Sequence, residues 1–493
     1  MRSAAVAMLA VVVVLLLALP AGVSAQPAQG ARRDRRLDRR HDQQELGHRK
    51  TAWQRKGFDR KRAFALADDY KAFLTRHKTE REVVGAALAL AKKRGFADLL
   101  ADKRPRVAPG ARLYAGVHGK LLALIVVGKR PMAEGVHVVA THIDAVRLDL
   151  KQKPVYADGN LALLQTHYYG GIKKYQWLSM PLELRGVVVK KDGTAVEVAI
   201  GDQPSEPVLV IPDLAIHMSS GEADAIEGEQ VPGESLDPVV SSTPGAGGDD
   251  PFAAEAARLI ERELKIGIGD LASAELELVP AAPARDVGLD RAIIGGYGQD
   301  DRACSYAALR AILEVATPDH TAIVMLTDKE EVGSTGNTGA QSTFMRRVAA
   351  ELIEGTGKTS SETAVERMLT ASMVWSADVS GAVNPLYPVV YEAQNEAFTG
   401  SGVVWDYTGI HAEVMGYTRR LLDRAGVAHQ AAGWGKSTGS KTEDGTVLAF
   451  FTRLGMNGLN VSIPLLSMHA PYELVSKADL YEGYRAYKAF LAD

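Results

Sequence analysis

The chain carries a single cysteine, Cys304, so no disulfide can form within it. Its stability must come from a buried core, bound metal or assembly, not from covalent cross-links. A strong charge of one sign is also missing. With 57 basic and 60 acidic residues the net charge is −3, so the molecule as a whole has no electrostatic call on nucleic acid. Beyond residue 25 no apolar run approaches the ~20 residues that a membrane span needs. No internal repeat is evident, so a repeat architecture is not expected. What is present is the balance of an ordinary globular protein, 46% apolar and 24% charged, and 493 residues predict two or three domains.

The one long apolar run lies near the N-terminus. Arg2 precedes the run from Ala4 to Leu19, Pro20 and Gly22 break it, and Val23-Ser24-Ala25 offers small residues before Gln26. These features predict a cleavable export signal over residues 1–25 and a periplasmic or secreted protein. The alternative, an uncleaved anchor, would want a longer run. Residues 26–52 read as a basic, solvated linker containing Arg32, Arg33, Arg35, Arg36, Arg39 and Arg40.

From Trp53 to Ala101 the apolar residues recur at helical spacing, as in Phe64, Leu66, Tyr70, Phe73 and Leu74. Short apolar runs at 121–127, 136–141, 321–326, 372–376 and 459–465 read as strands buried on both faces. Helical patterns at 304–316, 341–353 and 410–425 separate the later ones. This alternation predicts an α/β fold, a mixed and mostly parallel sheet covered by helices on both faces. The stretch 156–285 differs, being β-rich, and reads as a second domain inserted between catalytic segments 53–155 and 286–493. Within it, residues 219–251 hold eight acids and no Lys or Arg, which predicts a mobile acidic loop.

Ionisable residues follow the buried strands. His142 and Asp144 come after the first, Asp328, Glu330 and Glu331 after the second, Asp378 after the third and His469 after the last. Asp300-Asp301 opens a helix. Ligands of open α/β sheets bind beyond the carboxyl ends of the strands, so separate segments aim carboxylates and imidazoles at one edge. Acids gathered without a counter-charge repel and raise one another's pKa, and a divalent cation removes that repulsion. With His and carboxylate donors and no thiol pair, Zn²⁺, Co²⁺ or Mn²⁺ fit the set.

Longer motifs make the pattern specific. Thr141-His142-Ile143-Asp144, Tyr169-Gly170-Gly171-Ile172-Lys173-Lys174-Tyr175, Gly298-Gln299-Asp300-Asp301-Arg302, Asp328-Lys329-Glu330-Glu331-Val332-Gly333-Ser334 and Ser467-Met468-His469-Ala470-Pro471-Tyr472-Glu473 stand in order along the chain. From about Trp53 to the C-terminus the sequence resembles the bacterial branch of the M18 metalloaminopeptidases. The resemblance implies a zinc-peptidase fold with an inserted dimerisation domain and two divalent ions, zinc foremost. It implies that His142, Asp300, Glu331, Asp378 and His469 are the metal ligands, with Asp300 bridging. It further implies that Asp144 orients the His142 ring, and that Glu330 is the general base for hydrolysis of the N-terminal residue of a peptide with a free amino group. His217, in Pro212-Asp213-Leu214-Ala215-Ile216-His217, would reach a neighbouring subunit's site and stabilise the oxyanion. The implied assembly is a homo-oligomer, a dodecamer built from dimers.

Two rival readings are a carboxypeptidase or amidohydrolase on the same two-metal scaffold, and a non-catalytic scaffold protein. Gly435-Lys436-Ser437 lacks the earlier glycine of a phosphate-binding loop, since position 430 is Gln430. His167 is a candidate pocket residue, Lys436 and Lys441 are candidates for binding an acidic side chain, and Cys304 reads as a packed residue, not a nucleophile.

Overall fold

A computed structural model describes residues 49–103, 105–215, 217, 231–247, 249–392, 394–406, 411–433 and 446–493. The predicted signal, most of the predicted linker, and Lys436 and Lys441 lie outside these residues. Among the described residues no helix is long and apolar enough to cross a membrane.

The larger of two sheets has 13 strands. Its centre is parallel. Thr321–Thr327 pairs with Val136–His142, which pairs with Met373–Ser376, which pairs with Asn457–Leu466. Antiparallel strands flank this centre, Leu121–Val126 on one side and Glu473–Ser476 with Ile293–Gly296 on the other. All seven positions of Val136–His142 and of Thr321–Thr327 are buried, as their unbroken apolar runs require.

Alternate side chains serve two cores. Val136, Val138 and Ala140 pack with Phe344, Val348, Leu352 and Met368 from helices Phe344–Gly355 and Glu362–Thr370. Val139, Trp375, Leu459 and Val461 face the other way, against helices Arg60–Arg76, Glu80–Lys93, Gln299–Glu314 and Lys477–Ala492. The α/β architecture with helices on both faces is therefore as the sequence predicts.

The second sheet has six strands, all antiparallel, in the order Ala195–Ile200, Leu182–Val189, Ala274–Pro280, Arg147–Asp158, Leu161–Tyr169, Val239–Ser241. It begins at Arg147, so the sequence-based boundary after residue 155 falls inside its first strand. The described part of the acidic stretch 219–251 carries structure. Val231 and Leu236 are buried in the core of this sheet and Val239–Ser241 is its edge strand. Composition concealed this, because the few apolar residues that anchor the segment are spaced among Gly, Pro and acids.

Four rings stack across the large sheet. His137 lies 4.6 Å from His320 and 4.6 Å from Phe490, and Phe490 lies 4.2 Å from Trp375. The His137 Nδ1 sits 3.0 Å from the Phe490 carbonyl oxygen. Burial lowers the His137 pKa from 6.5 to about 4; the Phe490 carbonyl and Asp493 oppose that fall, and His320 and Arg130 add to it. The unfolded chain thus binds a proton that the folded one refuses, and stability falls as pH drops from about 6.5 to about 4. The full effect of this one residue is roughly 3 kcal/mol. Chemical denaturation of His137→Phe across that range should show a correspondingly shallower loss than the parent protein.

Candidate metal centre

The four central strands end at one edge, and the next residues of each carry the predicted groups. His142 closes its strand, Glu330 and Glu331 occupy a single 3-10 turn after Thr321–Thr327, Asp378 follows Met373–Ser376 and His469 follows Asn457–Leu466. Asp300 arrives from the N-terminal end of helix Gln299–Glu314, at a position with non-helical backbone angles. All five predicted ligands, with Glu330 and Asp144, meet in one cluster.

Asp300 is its centre. Its Oδ1 lies 3.2 Å from His142 Nε2 and its Oδ2 lies 3.2 Å from His469 Nε2. Asp378 Oδ1 stands 3.6 Å from His142 Nε2, and Glu331 Oε2 stands 3.3 Å from His469 Nε2. Glu330 Oε2 is 3.9 Å from His142 Nε2. Two groups of candidate ligand atoms, each mutually within 4.8 Å, are His142 with Asp301 and Asp378, and Asp300 with Glu331 and His469.

Asp144 organises one half. One carboxylate oxygen lies 3.3 Å from His142 Nδ1 and the Asp144 backbone carbonyl oxygen 3.1 Å from it, which leaves Nε2 facing the cluster. The same carboxylate accepts the backbone N–H groups of Glu330 and Glu331 at 3.1 Å each, and the Tyr169 hydroxyl at 2.9 Å. It therefore fixes both the imidazole and the turn that carries the two glutamates. The second sheet reaches in here. Tyr169 ends one of its strands under the Arg147 guanidinium, 3.8 Å above the ring. The Gly171 carbonyl lies 2.9 Å from His469 Nδ1. Gly170 has φ of +75°, and a Cβ there would stand 3.2 Å from Glu331 Oε2 and 2.8 Å from Val146.

Glu473 organises the other half, a role the sequence reading did not assign. Its carboxylate accepts the backbone N–H groups of Gln299 at 2.6 Å, Asp300 at 3.1 Å and His469 at 2.8 Å. Asp301 was likewise given no role of its own; it is fully buried and accepts the His142 backbone N–H at 3.3 Å. A sequence signal existed for Glu473, the last residue of the Ser467–Glu473 motif, at the start of an antiparallel strand beside the parallel centre, since a buried carboxylate must find donors.

The electrostatics are those of a site short of positive charge. Burial, then neighbouring acids, raise the Glu330 pKa to about 8, and burial raises Glu331, Asp301 and Asp378. Burial pulls His469 down, but Asp300 and Glu331 overcome it and lift the imidazole to about 10; Asp144, Asp300 and Asp378 lift His142 in the same way. Glu331 Oε1 and Asp301 Oδ1 are buried without a hydrogen-bond partner. The Cys304 thiol is buried and donates to the Asp378 carbonyl oxygen at 3.0 Å. Imidazoles and carboxylates with orphaned lone pairs, and no thiolate, fit zinc or a similar divalent ion.

His217 is exposed and, among the described residues, makes no hydrogen bond or ion pair with this cluster. His167 is also exposed and stacks on Tyr168 at 5.5 Å.

A carboxylate–imidazole centre of this form, at the carboxyl edge of the parallel strands, is of the kind that metal-dependent hydrolases use. Residues 73–491 match the family model described as aminopeptidase I zinc metalloprotease (M18). A probable M18 family aminopeptidase 1 of Clostridium acetobutylicum is 40% identical over 446 residues, 87% of this chain and 95% of that one. The crystal structure of an M18 aminopeptidase from Thermotoga maritima matches with TM-score 0.85 at 37% identity, covering 90% of this chain and 99% of that one. Aminopeptidase I of Borrelia burgdorferi matches with TM-score 0.78 at 34% identity, covering 90% and 100%. A more distant neighbour from yeast, 21% identical with TM-score 0.69 over 86% of this chain and 96% of that one, is described as a dodecamer. The chain belongs to the M18 family of zinc aminopeptidases. It is a peptide hydrolase that depends on a divalent metal.

Replacing Glu473 by Ala removes an acceptor shared by three backbone N–H groups around Asp300 and His469. Zinc affinity, measured by chelator competition, should fall by roughly 10- to 100-fold, the size of effect found when the supports of metal ligands are lost.

Proposed function

We propose that this chain removes the N-terminal residue of peptides at a centre built for two divalent cations, with Glu330 as general base. The observation that carries the reading is the Asp300 carboxylate, whose two oxygens each face a different imidazole at 3.2 Å. In this reading His142, Asp300 and Asp378 hold one ion, and Asp300, Glu331 and His469 hold the other. Two such ions supply Lewis-acid polarisation of the scissile carbonyl and acidify a water enough for it to lose a proton near neutral pH.

The chain's own groups do the rest. Glu330 belongs to neither ligand group, yet its carboxylate is beside them. Burial lifts its pKa to about 8; cations held beside it would lower that value, and Glu330 would then take a proton at neutral pH and return it to the leaving amine. Asp144 keeps Glu330 in place through the backbone of the turn. The excess of carboxylates favours a substrate with a free, positively charged α-amino group, the feature that separates an aminopeptidase from a carboxypeptidase or amidohydrolase. The apolar run from Ala4 to Leu19 and the small residues before Gln26 support a periplasmic or secreted site of action.

Glu330→Gln should retain its zinc by elemental analysis and lose at least about 10²-fold in kcat; unchanged turnover excludes Glu330 as the base. On the parent enzyme, free-amine aminoacyl substrates should be cleaved and their N-acetyl counterparts spared.

We also propose that the active form is a homo-oligomer, a dodecamer built from dimers, in which His217 completes a neighbour's site. The exposure of His217, and the absence of any hydrogen bond or ion pair between it and the cluster among the described residues, support this. His217→Ala should assemble and bind zinc yet turn over slowly. Co-assembly of His217→Ala chains with Glu330→Gln chains should restore part of the activity, because some sites would then pair an intact base with an intact histidine. Mixed assemblies as inactive as either parent would exclude the shared site.

A further inference from the structure

A second cavity, of about 400 Å³, opens near the opposite end of the large sheet. It lies against the turn Met132–Glu134, which leads into the start of strand Val136–His142, whereas the metal centre lies beyond the end of that strand. At about 3.3 Å per residue the two are roughly 20 Å apart along the strand.

The walls of the cavity combine two chemistries. Val107, Val127, Met132 and Ile353 are buried and give it an apolar floor. Four cations line it, Lys129 and Arg130 from the loop after Leu121–Val126, Lys358 from the segment between two helices, and Arg367 from helix Glu362–Thr370. Among the described residues no acidic side chain lines it. The partners of the first two cations are surface pairs: Lys129 with Asp319 at 2.9 Å and Arg130 with Glu134 at 3.6 Å, with every side chain in them at least 51% exposed. Such pairs contribute little and exchange readily for a ligand anion. The side chains of Lys358 and Arg367 have no hydrogen bond or ion pair among the described residues.

We infer that this cavity is a binding site for a small organic anion, an acidic group carried on an apolar body. The lining cations, from three separate segments, attract and orient the acidic group, Arg367 with a planar fork suited to carboxylate or phosphate oxygens. The floor takes the apolar part, and the volume suits a metabolite-sized ligand.

The test is isothermal titration calorimetry on the zinc-loaded full chain at low salt, with three probes of similar shape: phenyl phosphate, phenylacetate and neutral benzyl alcohol. One saturable site per chain is expected for at least one anion, and the stronger anion identifies phosphate or carboxylate as the preferred group. Affinity should fall by about tenfold or more in the double variant Lys358→Ala with Arg367→Ala. It should also be lost in Ala133→Trp, which fills the cavity and keeps all four cations. Peptide turnover should be unchanged in both variants. Equal binding of benzyl alcohol, absence of saturable binding by either anion, or binding that survives both variants and is displaced by peptide substrate would overturn the inference. The last outcome would assign the anion to the metal centre.

Discussion

Asp300, Asp301, Glu330, Glu331 and Asp378 are held with two imidazoles at the end of a sheet whose interior excludes water. Carboxylates this close and this dry repel one another, and burial drives most of them toward their neutral forms. A bound divalent metal would relieve that repulsion in a way that hydrogen bonds from the chain do not, since among the described residues Glu331 Oε1 and Asp301 Oδ1 have no hydrogen-bond donor. The architecture around the cluster can be understood as the means of holding such a set together.

Two further carboxylates do most of this holding, and both work through backbone N–H groups. Asp144 ties His142 to the Glu330–Glu331 turn, and Glu473 ties Asp300 to His469. Each half of the centre therefore has its own clamp, and both share Asp300. The clamps also join distant parts of the chain. Tyr169 and Gly171, from the end of a strand in the second sheet and the turn beyond it, contact Asp144 and His469 respectively.

The second sheet is in turn fastened to the helical layer by buried ions. Arg147 pairs with Glu80 at 2.7 Å, with Asp149 at 2.7 Å and with Glu277 at 3.5 Å. Burial and the nearby Glu80 charge raise the Glu277 pKa, while Arg147 lowers that of Glu80. Lys78 and Arg185 meet Glu183 in a similar buried group. Removing one member of such a group would leave a charge without its partner, which is the expensive event in a buried network. The centre thus depends on an interface some residues away from any ligand.

Much of this was legible in the sequence. Unbroken apolar runs marked the parallel strands, because a strand covered on both faces has no polar side to show. The clustering of the predicted groups was legible because all but Asp300, which opens a helix, follow such a run closely, and parallel strands deliver their ends to one edge. The different roles proposed for Glu330 and Glu331 come from the family motifs, since composition does not separate the two. Other features were decided only by the tertiary structure. Glu473 acts on backbone groups of residues 174, 173 and 4 positions away, and no spacing rule reports such contacts. The cavity cations Lys129 and Arg367 stand 238 residues apart in the chain, and the acidic stretch hid an edge strand whose partner lies far upstream. Local pattern determined which residues enter strands and helices, because hydrophobic periodicity acts over a few residues. Which charges then meet, and which are left needing a metal, was set by long-range packing.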